Sequence, residues 1–286
     1  MAHILDGKMV AEKVKREVAE TLKANDLHAS LAVVLVGDDP ASHIYVEHKN
    51  KDCDECGIFC RTHWIDGGFN QDFVVNYVQS LARNDDIDGI LVQLPLPKHM
   101  NAAEVIAEIP PEKDVDCFTT ENIGRLYSGD AFLKPCTPAG VMRLLDEYGI
   151  PLSRKHCVVL GRSNVVGKPM AQLLLDENAT VTVCHSKTEN LHDICRSADV
   201  LVSAVGRPGL VTRDMVKDGA VIVDVGMNRN ADGKLCGDCA REAYEVSRFY
   251  TPVPGGVGPM TRAMLMQNVM MAAANRRGLD LNYKGE

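Results

Sequence analysis

No run in the 286 residues approaches the ~18 consecutive apolar residues that a membrane span requires, so no membrane partner is expected. Met1-Ala-His-Ile-Leu-Asp6 lacks the basic flank and apolar stretch of a secretory signal, which leads us to expect a cytoplasmic protein. There is no basic stripe either. The 31 Lys and Arg are interspersed among 39 Asp and Glu, for a net charge of −8, and nucleic-acid binding is not expected. Repeat arrays and low-complexity segments are also missing. Cysteine, by contrast, is plentiful at ten residues. Without a small secreted scaffold to staple, these read as free thiols in a reducing compartment. Two C-x-x-C pairs, Cys53/Cys56 and Cys236/Cys239, lie far apart in sequence, the first inside a predicted helix, and no metal is expected.

What is present is an alternation. Hydrophobic residues make up 45% of the chain, enough for a buried core in one or two domains. Asp6 followed by Val10, Val14, Val18 and Leu22 predicts a capped helix. The short unbroken apolar run Leu31–Val36 predicts a strand buried on both faces, and Gly89–Leu94 another buried strand. Helices are expected at 40–56 and 71–83, with a further strand at 58–65. Strands alternating with helices in this way mark a parallel sheet. A second series opens at His156–Leu160, with strands expected at 180–184, 200–205 and 220–225. Helices are expected between them at 168–178 and 191–197. A helix starting at Pro138 is read as the bridge between the two series, and a Met- and Ala-rich helix from about 260 to 277 as returning to the first domain.

Within the first series, Pro40 suits a first helical turn and Gly57 a left-handed C-terminus. Between them Tyr45 and Lys49 share one face, with Cβ atoms roughly 6 Å apart. A phenol beside an ammonium can orient it for acid–base or polarising work; a solvated lysine packed along a ring is the plainer alternative. Gln93 stands at the carboxyl end of an apolar strand, where function gathers in parallel sheets. Its amide needs either a ligand or a neighbouring loop to bond. Asp114 and Asp116 follow a Pro-Pro turn.

In the second series, Val158-Val-Leu-Gly161-Arg162-Ser163-Asn164-Val-Val-Gly167 is a strand, a glycine turn and a helix start. It is similar to the dinucleotide-binding fingerprint, with Ser163 in place of the second glycine and one extra residue before Gly167. An NAD-selective site places a carboxylate at the end of the next strand; here Cys184-His185-Ser186-Lys187 has none. Arg162, His185, Ser186 and Lys187 would donate to a 2′-phosphate, which favours NADP.

Six motifs in order resemble the bifunctional methylenetetrahydrofolate dehydrogenase/methenyltetrahydrofolate cyclohydrolase family. They are Val36-Gly-Asp-Asp-Pro-Ala-Ser42 with Tyr45-x-x-x-Lys49, Gly89-Ile-Leu-Val-Gln-Leu-Pro-Leu96, Pro111-Glu-Lys-Asp-Val-Asp116, Lys134-Pro-Cys-Thr-Pro138, Gly161-Arg-Ser-Asn-Val-Val-Gly-Lys-Pro169 and Thr251-Pro-Val-Pro-Gly-Gly-Val-Gly-Pro-Met-Thr261. The resemblance implies two three-layer α/β domains with a cleft between them. A folate-binding catalytic domain would span 1–137 and 262–286, and a Rossmann-like NADP domain 138–261. A homodimer through the NADP domains is implied as well. It further implies that Tyr45, Lys49, Gln93 and Asp116 are catalytic, and that Leu94, Pro95, Pro254 and Gly255 join them in binding folate. Thr137, Gly161, Arg162, Ser163, Ser186, Ala204, Val205, Val225, Met227, Gly258 and Thr261 would hold NADP. The chain departs from the family pattern at two places. Cys117 stands where Gly is usual, and its Cβ would matter if φ is positive. Arg262 replaces a small apolar residue.

Overall fold

A computed structural model describes residues 2–281. The elements in order are β1 (His3–Ile4), α1 (Gly7–Ala24), β2 (Ser30–Val36), α2 (Pro40–Cys56), β3 (Phe59–Ile65), α3 (Gln71–Ala82), β4 (Gly89–Val92), α4 (Ala102–Ile106) and α5 (Thr120–Ser128). Then come α6 (Cys136–Glu147), β5 (His156–Leu160), α7 (Gly167–Asp176), β6 (Thr180–Cys184), α8 (Leu191–Arg196), β7 (Val200–Ser203) and β8 (Val221–Asp224). The chain closes with β9 (Asn228–Arg229), β10 (Leu235–Cys236), α9 (Arg241–Val246), β11 (Phe249–Tyr250) and α10 (Val257–Arg276). Among the described residues no helix is long and apolar enough to cross a membrane.

The chain forms two compact units, and neither is a single segment. One holds residues 12–136 and 262 onward, around a parallel sheet ordered β3-β2-β4. Leu31 to Val36 are all buried, as the unbroken apolar run requires when both sheet faces are covered. Val34, Val36, Ile90 and Val92 pack with Val74 and Val78 of α3 and Val105 of α4. Each such side chain fully removed from water contributes roughly 1.5–3 kcal/mol. Helix α2 is anchored here by Asp52, which is 3% exposed. Its carboxylate meets Lys15 of α1 at 3.1 Å and Arg262 of α10 at 3.1 Å. The unusual Arg262 therefore has a buried counter-charge. Burial alone would pull the Lys15 ammonium down, but the carboxylates of Glu12, Glu55 and Asp52 outweigh it and hold the group above its usual value.

The other unit comprises residues 1–11 and 137–261, around a parallel sheet ordered β1-β11-β8-β7-β5-β6. Residues up to 11 join this unit by contact because β1 pairs with β11, His3 opposite Phe249 and Ile4 opposite Tyr250. Strand pairing leaves no trace in a two-residue segment's composition. Helix α1 thus starts in one unit and continues in the other, and so does α10. Val158, Leu160, Leu201 and Ile222 form the core of this sheet with Met215 and Ala243.

Candidate functional site

The helix that carries Tyr45 and Lys49 is defined at both ends by its own residues. The Asp39 carboxylate accepts from the Ser42 amide at 2.8 Å, Pro40 occupies the first turn, and Gly57 closes the helix at φ 75°. Lys49 is half-buried, and its Nζ donates to Gln93 Oε1 at 2.9 Å. Gln93 follows β4, where its own N–H donates to Val34 O at 2.9 Å and continues the ladder. Its Nε2 donates to Leu94 O at 2.7 Å. The amide at the end of the apolar strand thus serves both a loop and a lysine, with the Leu94–Pro95 peptide cis beside it. Tyr45 is half-buried one turn earlier on α2.

Asp116 reaches the same place electrostatically. Burial pushes its carboxyl up from the usual range, while the Lys49 ammonium pulls it back and Asp114 adds to the upward push. The Cys136 thiol approaches Asp116 Oδ1 at 3.8 Å, and burial holds that thiol well above its normal value. Asp114, by contrast, is structural. It accepts from the amides of Phe118 and Thr119 and from Asn122 Nδ2, at 3.2, 2.8 and 3.0 Å. Cys117 does adopt φ 61°, the left-handed region where glycine is at ease. Its thiol is fully buried and donates to Leu133 O at 3.4 Å, a contact glycine could not make. Asn268, a polar residue in an apolar stretch of α10, supports this loop by donating to Val115 O and Lys134 O, both at 2.8 Å. Sequence reasoning missed it, although an Asn amid buried Met and Val was the available signal.

In the other unit, the turn after β5 is built by close backbone approach. Gly161 has φ 122°, and a Cβ there would stand 2.3 Å from Ala204 O. A Cβ on Gly167 would stand 2.2 Å from Gly161 O. Ser163 takes the vacant glycine's role differently: its Oγ accepts from the amides of Val166 and Gly167 at 3.1 and 3.3 Å, holding the turn that leads into α7. Arg162, Ser186 and Lys187 are exposed around this turn and the end of β6. The Gly161 amide bonds Cys184 O at 2.9 Å, which holds the two strand ends together. No carboxylate enters the segment 184–188. The donors and the cradle therefore fit a phosphorylated dinucleotide.

Thr137 and Thr261 meet through their hydroxyls at 3.0 Å, and Met227 Sδ lies 3.8 Å from where a Gly258 Cβ would be. Pro254 follows a cis peptide and Gly255 has φ 106°, with Gly255 O accepting from the Lys8 amide at 3.1 Å. All of these belong to the six-stranded unit. Val205 and Val225 follow β7 and β8 in the same unit and are half-buried. Cys53 and Cys56 lie on α2, in the three-stranded unit, whereas Cys236 and Cys239 belong to the six-stranded one. Among the described residues no group of three or more His, Cys, Asp or Glu is arranged to hold a metal.

Residues 5–116 match the family model described as tetrahydrofolate dehydrogenase/cyclohydrolase, catalytic domain, and residues 135–277 match the NAD(P)-binding domain of the same description. The chain is 50% identical over 282 residues to the bifunctional protein FolD of Ruminiclostridium cellulolyticum, covering 97% of this chain and 99% of that one. It superposes with a TM-score of 0.93 on the crystal structure of the bifunctional methylenetetrahydrofolate dehydrogenase/cyclohydrolase from Campylobacter jejuni. That match has 45% identity and covers 96% and 100% of the two chains. The enzyme of Trypanosoma brucei complexed with NADP cofactor and inhibitor is similar with a TM-score of 0.91 and 35% identity, covering 96% and 98%.

Proposed function

The chain belongs to the tetrahydrofolate dehydrogenase/cyclohydrolase family, and from that membership we propose how its own residues divide two consecutive reactions. The first is the NADP-dependent oxidation of 5,10-methylenetetrahydrofolate to the methenyl cation. The second is hydrolysis of that cation to 10-formyltetrahydrofolate. The observation that carries this reading is the Lys49–Gln93 hydrogen bond of 2.9 Å, in the unit that bears most of the catalytic-domain match.

NADP supplies the acceptor for a hydride, an electron pair with its proton. The cation left behind is stabilised by two nitrogens, so no proton has to leave in that step. The chain's task there is alignment, since donor and acceptor carbons must come within roughly 3–3.5 Å. Hydrolysis makes a different demand. Water adds to the bridge carbon and releases one proton; the remaining hydroxyl proton is then passed to nitrogen as one C–N bond opens to the formyl group, so that one proton is released in all. Lys49 handles these protons, fixed by Gln93 and flanked by Tyr45. Asp116 accepts from the donors of the pterin ring. A homodimer through the nucleotide units belongs to the same proposal, supported by the exposed Val183 on edge strand β6 and Leu175 on α7.

Two assays on the purified protein test the reading: NADPH appearance from the methylene substrate, and decay of added methenyl substrate. Both should proceed. Methenyl compound that accumulates and decays only at its uncatalysed rate would reduce the chain to a dehydrogenase alone.

Asp116 gives the reading a pH signature. Because its carboxyl is raised, falling pH protonates it earlier than an ordinary carboxylate, and an acceptor is lost as pH drops through the raised value. The KM for folate is expected to climb on that acid side, and Asp116→Asn, whose amide oxygen does not titrate there, should flatten the climb. An unchanged pH profile in that variant would remove Asp116 from the pterin site.

The exposed cations around Ser186 make a second expectation. Arg162→Ala should weaken NADP by roughly 10–100-fold, the worth of a charge-assisted hydrogen bond, while NAD changes little. Equal weakening of both cofactors would refute the 2′-phosphate assignment.

A further inference from the structure

Two carboxylates are buried beneath the loops that follow β7 and β8: Asp224 at 1% and Asp238 at 0% exposure. Neither was singled out by the sequence reading, which saw only the thiols around Asp238 in Cys236-Gly-Asp-Cys239. Asp238 collects four donors. Ser203 Oγ and the Val205 amide bond its Oδ2 at 3.0 and 2.8 Å. The Arg207 amide and Asn228 Nδ2 bond its Oδ1, both at 2.9 Å. None of the four is a cation: two are backbone amides, one a hydroxyl and one a carboxamide. This carboxylate therefore does not neutralise a charge; it ties loop 203–207 to loop 225–228.

The surroundings are built to keep it in place. Asp224 Oδ1 accepts from the Asp238 amide at 2.9 Å and from the Gly226 amide at 2.9 Å. Its Oδ2 accepts from the Cys239 amide at 2.8 Å and Tyr244 OH at 2.7 Å. A Cβ on Gly226 would stand 2.3 Å from Asp238 Oδ1, and a Cβ on Gly237 would stand 2.1 Å from Asp224 Oδ2. Both glycines are required by the carboxylates' approach to backbone.

We propose that Asp238 is a positioning residue for the dinucleotide, which sets Val205 and Asn228, and through them Ala204 and Met227, at the height the cofactor needs. The inference rests on the reading that these loops face NADP. A carboxylate is specifically required because all four partners donate. An asparagine at 238 must turn its NH2 toward one pair of them. Ser203 could answer by rotating its hydroxyl and Asn228 by turning its amide, but the amides of Val205 and Arg207 cannot become acceptors. One loop must move.

The hydrolysis of the methenyl cation uses no dinucleotide and serves as the internal control. For Asp238→Asn, calorimetric titration with NADP should give a Kd raised at least ~10-fold, as for one buried donor left unmet. The dehydrogenase KM for NADP should rise in proportion with kcat little changed, and methenyl hydrolysis should match the parent. An NADP Kd equal to the parent's, or hydrolysis falling in step with dehydrogenation, would overturn the proposal. If that variant does not fold, Ser203→Ala decides. It removes one donor and keeps the carboxylate, so a Kd raised by ~2–5-fold is expected, the low end of a single hydrogen bond, and an unchanged Kd overturns the assignment. Failure of the unaltered chain to bind NADP would be a separate outcome, striking the cofactor reading itself.

Discussion

Replacing Lys49 with methionine should abolish methenyl hydrolysis, by about 10²–10⁴-fold, while leaving NADP-dependent dehydrogenation within roughly tenfold of the parent. The asymmetry follows from the proton demands of the two steps. Hydride transfer releases no proton, so losing an acid–base group removes nothing from it beyond some alignment. Hydrolysis must take a proton from water and deliver one to nitrogen, and Lys49 is the group held toward Gln93 at 2.9 Å. Methionine keeps the unbranched stem. The local cost is one hydrogen bond to Gln93, about 1 kcal/mol, too little to unfold a domain. Parallel loss of both activities in a folded variant that still binds folate would dissolve the division of labour.

The mirror-image variant is Gly161→Ala. Its φ of 122° is a conformation L side chains rarely adopt, and the new methyl would overlap Ala204 O at 2.3 Å. Strain and overpacking each cost about 1–3 kcal/mol, and the turn can relieve them only by lifting away from β7. On the proposed reading that turn cradles the pyrophosphate. NADP affinity should therefore fall by at least ~30-fold and dehydrogenation at low NADP should nearly vanish, given ~1.4 kcal/mol per decade. Methenyl hydrolysis should persist. If NADP binds Gly161→Ala as tightly as the parent, the turn is not where the phosphates sit.

The elements that position these residues were legible because each carries its own local signal. Helix α2 announces both ends, with Asp39 and Pro40 at one and Gly57 at the other, and β2 and β4 are continuous apolar runs. Gln93 stood out as the lone amide closing such a run. Where the sequence reading fell short, the deciding contacts were long-range. Strands β1 and β11 are two residues each and exist only by pairing with one another and with β8. Helix α5 has a cap at Thr119 and a left-handed Gly129, yet its polar composition hides it among loops. Asp238 is invisible for the same reason: its partners lie 10 to 35 positions away, and nothing local distinguishes it from a solvated turn aspartate. Of the thiols beside it, which the C-x-x-C spacing advertises, Cys239 packs in the apolar core while Cys236 stays half-buried on β10.

Because β1 precedes the whole three-stranded unit in sequence and covers the outer side of β11, the six-stranded sheet cannot be cut out as one continuous segment. A fragment limited to 137–261 would present the naked rim of β11 to other molecules, an invitation to edge-to-edge association. His3 thus finds its strand partner only once Phe249 is present.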